Sequence, residues 1–491
     1  MSFVSALEPQ PIWRHFDAIL EIPRPSTHEE RAWRYVLEVA GRHGLRHRQD
    51  STGNLVVEKP ASPGREEAPI VVLQGHLDMV TEKNSETVHD FMRDPIVPRR
   101  EDGWVKATGT TLGADNGIGA ATMLAVMEAK DLVHGPLELL FTVDEESGLN
   151  GVLALDPAAI ALAGRLLLNL DSEEEGSVTI GCAGGSASTL TLPLETAPAP
   201  AGTAALDVKL SGLKGGHSGM EIHLQRGNAV KLLARALFAA YGQTPFHLAS
   251  FGGGNKHNAL PREATARVVL PAAGQEAFTV AVTREVVVIQ DEIRTVDPGL
   301  TIEMAEVPAP ERIWTAAATR KVLDLLNALP HGVLAMSNDI PGLVETSVNL
   351  ATAAASDGSL AVLTSLRSSV ASAMRDTQRR LRAFADLAGG EVNENEGYPG
   401  WKPDLDSPLL ATFRKLHRRL IGSDPELKAV HAGLECGVLG EKFPGMDMIS
   451  FGPVIQGAHS PDERVEIASV GRFYKLLRET LAELAGGSQS S

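Results

Sequence analysis

Histidine and carboxylate side chains recur along this 491-residue chain in short clusters, each set beside an apolar or glycine-rich segment. His76 and Asp78 follow the apolar run Ile70 to Leu73. The imidazole can face a metal while Asp78 accepts the other ring N–H and fixes the tautomer; a hydrogen-bonded structural histidine is the plain alternative. Asp115 sits in Gly113-Ala-Asp-Asn-Gly-Ile-Gly119. Such a turn can cap a helix, cradle a phosphate or offer its carboxylate to a cation. It lacks the lysine of a phosphate loop and the spacing of a dinucleotide fingerprint. Asp144-Glu145-Glu146 closes the apolar run Leu137 to Val143. Adjacent carboxylates repel, so in a cleft they need a nearby cation or a shared proton; otherwise they form a solvated turn. Asp171 ends another apolar run, and the acidic stretch Ser172 to Glu175 after it is expected to be solvated. His459 lies in Gly457-Ala-His-Ser-Pro-Asp-Glu463, just before the last helical pattern.

Each cluster alone has a bland reading. Together, two histidines and at least three carboxylates at strand ends supply the nitrogen and oxygen donors that suit a pair of zinc-like ions. One bridging carboxylate, with one histidine and one acid per ion, describes a site that acidifies a shared water. An unligated Glu would move that water's proton to the leaving amine.

The elements that must position these residues alternate between strand and helix patterns. Two helices open the chain, separated by Pro23 and Pro25, and Ser26 with Glu29 has the spacing of a capping box for the second. Strands are expected at 54–58, 70–74, 137–143 and 166–170, with a helix after Gly117. This order predicts an α/β domain with a mostly parallel sheet flanked by helices. The carboxyl ends of such strands are where ligands bind. At Thr196-Ala-Pro-Ala-Pro-Ala-Gly202 the pattern changes. Strands are then expected at 205–213, 247–251, 263–270 and 300–307, with helices at 227–241 and 277–295. A similar succession from about residue 315 ends with a helix at 371–387. This reads as two α+β units side by side, each a sheet with helices on one face. Gly397-Tyr-Pro-Gly-Trp401 marks the return crossing, and a final helix is expected near 467–485. The expected division is residues 1–190 and 397–491 for one domain, with residues 191–396 inserted as an α+β lid.

A net charge of −17 and the lack of any basic run argue against a nucleic-acid partner. Two distant cysteines, Cys182 and Cys436, suit a reducing compartment. No signal-peptide pattern and no apolar run of the ~18 residues needed for a membrane span are present. These features give the expectation of a cytoplasmic protein that does not associate with membranes.

The motif order His-x-Asp, Gly-Ala-Asp-Asn-Gly, Glu-Glu-x-Gly, Asp and a late His-Ser-Pro resembles the M20 metallopeptidases. More narrowly, Gln74-Gly-His-Leu-Asp-Met-Val80, Leu170-Asp-Ser-Glu-Glu-Glu-Gly176, Leu213-Lys-Gly-Gly-His-Ser-Gly219 and His431-Ala-Gly-Leu-Glu-Cys-Gly437 resemble the aminoacyl-histidine (Xaa-His) dipeptidases, also called peptidase D. The resemblance runs from about Leu7 to the last helix. It implies a zinc-exopeptidase type of catalytic domain that hydrolyses dipeptides with two divalent ions about 3.5 Å apart, Zn2+ first with Co2+ or Mn2+ as alternatives. His76 and Asp171 would hold one ion, Glu146 and His459 the other, and Asp115 would bridge them. Glu145 would be the general base and Asp78 would orient His76. In the insert, His217 would reach the oxyanion, while Asn258 and Arg367 would bind substrate, Arg367 through its terminal carboxylate. A cis peptide between Asp115 and Asn116 is also implied. Other M20 activities, on N-acyl amino acids or tripeptides, and a non-catalytic binder are the alternatives. The oligomeric state stays open between monomer and homodimer.

Overall fold

The computed structural model describes residues 2–356 and 358–486. The chain forms two compact units, one from residues 1–182, 401–429 and 434–491, the other from residues 183–400 and 430–433. The first is therefore split in sequence. Among the described residues no helix is long and apolar enough to cross a membrane.

The first unit is built on an eight-stranded sheet. Its order is Arg46–Gln49, Leu55–Lys59, Leu137–Thr142, Val71–His76, Leu166–Asn169, Asp447–Ser450, Ser177–Cys182 and Glu426–Val430. The four central strands, from Leu137–Thr142 to Asp447–Ser450, run parallel. The pairings outside them that join Arg46–Gln49, Leu55–Lys59 and Ser177–Cys182 to the sheet are antiparallel. Val71–His76 and Leu137–Thr142 are buried along their whole length, as a central strand covered on both faces must be. The helix Ala114–Glu128 packs against Val71–His76. Gly75 permits the close approach, because a Cβ there would collide with the Asn116 side chain. A small four-stranded sheet joins Pro98–Glu101, Trp104–Ala107, Arg464–Glu466 and Ile455–Gln456. Its antiparallel pair Ile455–Gln456 and Arg464–Glu466 carries His459 on the connecting loop.

Helices Gln10–Leu20 and Glu30–Arg42 open the chain, but the expected capping box between Ser26 and Glu29 does not form. The Ser26 hydroxyl donates to Asp78 Oδ2 at 2.7 Å, and Glu29 Oε1 accepts the Asp144 N–H at 2.8 Å. Buried acceptors and donors at the strand ends thus take both side chains that would otherwise have capped the helix.

The second unit differs from the sequence expectation of two separate sheets: it holds one nine-stranded antiparallel sheet. Strands Thr301–Val307, Thr203–Ser211, Ala264–Pro271 and His247–Gly253 form one half. Val344–Ser356, Ser359–Ser368, Gly184–Pro193, Glu391–Glu394 and Gly332–Met336 form the other. The halves meet at a short seam where Gly252 and Gly253 pair with Ala354 and Ala353. A duplicated order of elements therefore does not require duplicated sheets. Helices Ala229–Tyr241, Gln275–Ile293, Ala316–Ala328 and Ala371–Ala388 all contribute to one apolar core against this sheet. Gly184–Pro193 belongs to this unit because it pairs with Ser359–Ser368 along its length. The start of the Pro-rich stretch forms a two-stranded edge, Thr196–Pro198 against Arg312–Trp314.

Candidate metal centre

The parallel strands of the first unit release their chemistry at one edge. Val71–His76 ends on His76, Leu137–Thr142 runs into Asp144-Glu145-Glu146, and Leu166–Asn169 runs into Asp171. Asp115 enters from the first turn of Ala114–Glu128, where Asp115 and Asn116 leave helical geometry and the peptide between them is cis.

These side chains converge. His76 Nε2 lies 3.2 Å from Asp115 Oδ1 and 3.3 Å from Asp171 Oδ1. His459 Nε2 lies 3.4 Å from Asp115 Oδ2 and 3.0 Å from Glu146 Oε2. Asp115 thus turns one oxygen to each histidine, and each histidine has its own second carboxylate. The donor atoms of His76, Asp115 and Asp171 fall within 4.8 Å of one another, as do those of Asp115, Glu146 and His459. A third such group joins His76 with Glu145 and Glu146.

Asp78, fully buried, stands behind this cluster. Its Oδ1 is 3.2 Å from His76 Nδ1. The same carboxylate accepts the N–H of Glu145 at 3.1 Å and of Glu146 at 3.0 Å, so it fixes both the imidazole and the turn that presents the two glutamates. Burial opposes its charge, but the hydrogen bond and charge of His76 prevail and hold Asp78 down at about 2.

The electrostatics show an accumulation of negative charge seeking a partner. Burial pushes Asp171 up to about 7, against the pull of His76. Burial also lifts Glu145 well above the usual carboxylate range, with Asp171, Glu435 and Glu146 adding to the rise. For His76, burial disfavours the cation, yet Asp171, Asp115 and Asp78 outweigh it and raise the imidazole well above its ordinary value. Hydrogen bonds to Asp115 and Glu146 raise His459 to about 11. Asp171 Oδ1 and Glu146 Oε1 are buried without any hydrogen-bond partner. Buried carboxylates with open oxygens, faced by two imidazoles, fit divalent cations in chemistry and number.

Three contributors were not singled out from sequence. Glu463 accepts four successive backbone N–H groups, from Leu112, Gly113, Ala114 and Asp115, at 2.7, 2.8, 2.7 and 3.2 Å. It therefore fixes the turn that carries Asp115. Its nearness to His459 in sequence was the available signal. Glu173 departs from the expectation of a solvated acidic run: it is partly buried, and burial together with Asp115 and Asp171 raises it to about 8. Glu435 is buried within the Gly-Leu-Glu-Cys-Gly motif.

His217, Asn258 and Arg367 belong to the second unit. His217 Nδ1 accepts the N–H groups of Gly219 and Met220 at 3.2 and 3.0 Å. That leaves the proton on Nε2, free to be donated. Burial and the Arg367 charge lower its pKa, which favours the neutral ring. Asn258 accepts the Ser218 N–H on its backbone oxygen at 2.8 Å, and its neighbour Ala259 bridges to His217. Arg367 is 8% exposed, donates to Tyr398 at 3.1 Å and keeps a buried Nε without a partner.

The chain is 42% identical to the cytosol non-specific dipeptidase of Escherichia coli strain K12 over 484 residues, 99% of each chain. The crystal structure of the aminoacylhistidine dipeptidase from Vibrio alginolyticus matches with a TM-score of 0.92 and 42% identity, covering 100% of this chain and 99% of the other. The aminopeptidase PepT of Bacillus cereus shares the fold at a TM-score of 0.55 and 15% identity, covering 98% of this chain and 99% of its own. The signature of peptidase family M20/M25/M40 spans residues 72–483, and the chain belongs to that family of peptide-bond hydrolases.

Proposed function

We propose that this chain is a dinuclear metal-dependent dipeptidase, acting on Xaa-His dipeptides and, more broadly, on other dipeptides. The observation that carries the reading is the division of Asp115, one oxygen toward His76 and one toward His459, with Asp171 and Glu146 completing two donor sets. Full-length similarity to two dipeptidases supports the substrate class. Zn2+ suits a set of two imidazoles and three carboxylates, with Co2+ or Mn2+ as substitutes. The dipeptidase named for the cytosol supports a cytoplasmic location.

When bound, the two ions would act as Lewis acids and bring the acidity of water close to neutral pH. The remaining work falls to the side chains. Glu145, half-buried and raised in pKa, takes a proton from the attacking water and delivers it to the leaving nitrogen as the C–N bond breaks. The water oxygen joins the carbonyl carbon, and the products are a carboxylate and a free amine. Asp78 keeps His76 and the Glu145 backbone in place. In the second unit, His217 donates its Nε2 proton to the carbonyl oxygen as negative charge develops there. Arg367 pairs with the terminal carboxylate, for which a guanidinium is a natural two-pronged partner, and Asn258 contributes to the same recognition. Together these roles describe a substrate-binding lid and explain a limit at two residues, since a clamp on the carboxylate next to the scissile bond leaves no place for a third.

The test is a substrate panel with metal-reloaded protein: Xaa-His dipeptides, other dipeptides, tripeptides and N-acyl amino acids. Dipeptides should have the highest kcat/KM. A preference for tripeptides or N-acyl amino acids would replace this reading with another activity of the family.

A further inference from the structure

The chemistry proposed above makes no use of Glu435, although this residue is 1% exposed and lies among the catalytic strands. It opens the helix Glu435–Lys442. Its Oε2 accepts the Gln74 amide at 2.5 Å and the Thr142 hydroxyl at 2.8 Å. Gln74 is itself held, since its Oε1 accepts the Asn169 amide at 2.6 Å, which leaves the Gln74 NH2 group for Glu435. The other carboxyl oxygen, Oε1, is buried and has no hydrogen-bond partner.

Strand geometry says where the Glu435 carboxylate lies. Gln74 and His76 are two residues apart on one strand and so point to the same face. Thr142 stands beside His76 in the parallel register. Glu435 therefore sits on the sheet face that carries His76, close enough for its charge to be felt by Glu145 and for His76 and Asp171 to act on it.

A buried carboxyl oxygen left open is costly, on the order of 1–3 kcal/mol or more. A neutral acid could place its O–H on the Thr142 hydroxyl through Oε2, and Oε1 would still be left without a donor. Among the described residues, Glu435 also belongs to none of the three-donor groups able to hold an ion. The missing partner is then a donor that arrives with the ligand.

We propose that Glu435 binds the free ammonium group of the dipeptide. This rests on the dipeptidase reading, in which Arg367 takes the substrate's negative end and its positive end has no assigned partner. An ammonium offers three N–H donors and the opposite charge, which satisfies the open oxygen. Glu435 is thus the residue that makes the enzyme selective for an unblocked N-terminus.

The experiment compares alanyl-histidine with propionyl-histidine, which differs only in lacking the amine, using the metal-reloaded full chain. Glu435→Gln keeps the shape and removes the charge. It should lower kcat/KM for alanyl-histidine by roughly tenfold to a hundredfold, leave propionyl-histidine hydrolysis nearly unchanged, and retain two ions per chain. Thr142→Val removes one of the two donors that hold Glu435. It should shift the same preference in the same direction by less, and it carries the test if Glu435→Gln fails to fold by circular dichroism. Equal losses on both substrates, or loss of metal, would overturn the assignment. Wild-type protein inert toward alanyl-histidine would instead strike at the dipeptidase reading. An active wild type with an unaltered amine preference in both variants would strike at Glu435 alone.

Discussion

The Asp78 carboxylate accepts the backbone N–H of Glu145 at 3.1 Å while the same oxygen faces His76 Nδ1 at 3.2 Å. One buried acid therefore couples the orientation of a proposed ligand to that of the proposed base. Asp78→Ala should weaken metal binding by about 10–100-fold and lower kcat as well, because the turn carrying Glu145 and Glu146 loses its acceptor. Metal titration and steady-state kinetics check both. Unchanged affinity with unchanged kcat would reduce Asp78 to a packing residue.

Glu145 and Glu146 are neighbours in sequence with different tasks. Glu145→Gln should cut kcat by about 10²–10⁴-fold with both ions retained. Glu146→Gln should lose metal together with activity, since His459 Nε2 and Glu146 Oε2 meet at 3.0 Å in one donor set. Elemental analysis beside kinetics separates the two. If both variants keep two ions and substantial activity, this division of labour is wrong.

Glu463 secures the Asp115 turn by accepting four backbone N–H groups. Glu463→Ala leaves those buried donors without an acceptor. It should cost on the order of 3–5 kcal/mol of stability and weaken metal binding through displacement of Asp115. Denaturant unfolding of the stripped protein measures the first effect separately from the second. A loss below about 1 kcal/mol would show that water replaces the carboxylate easily.

Arg367→Ala should raise KM for dipeptides strongly and weaken discrimination against amidated or longer peptides. A normal KM with normal discrimination would mean that the terminal carboxylate is read elsewhere.

His431, in the second unit, provides a pH test. It is 7% exposed, and its Nε2 lies 2.7 Å from the Ser347 hydroxyl. Burial first, then the Arg367 charge, lowers it from the usual 6.5 to about 4. The unfolded chain therefore binds the proton more readily than the folded one. Its contribution to stability is complete above about pH 6.5 and is lost as pH falls toward about 4. The loss between pH 7 and 5 should be about 2 kcal/mol. His431→Gln should flatten that part of the profile by the same amount. A variant whose urea midpoints fall with pH as steeply as wild type would contradict the assignment.

The order of elements and the convergence of His76, Asp115, Glu146, Asp171 and His459 were legible because the first four follow strand ends or open a helix that the apolar pattern marks, and His459 sits in a short motif ahead of the last helix. Glu463 and Glu435 were not, since their role depends on which backbone donors and neutral side chains surround them across hundreds of residues of chain. The capping box at Ser26 and Glu29 failed for a related reason. Local spacing favours a cap, but Asp78 and the Asp144 N–H, distant in sequence, offer stronger partners. The continuity of the nine-stranded sheet was hidden because its seam comprises only two residue pairs, at Gly252 and Gly253, with no apolar alternation to announce it.

Metal-dependent activity tests the account most directly. Protein stripped with a chelator should be inactive toward alanyl-histidine and remain folded. Titration with Zn2+ should restore activity in step with binding, levelling off at two ions per chain. Full dipeptidase activity in the stripped protein, or activity that is complete with no ion bound at the His76 and His459 donor sets, would contradict it.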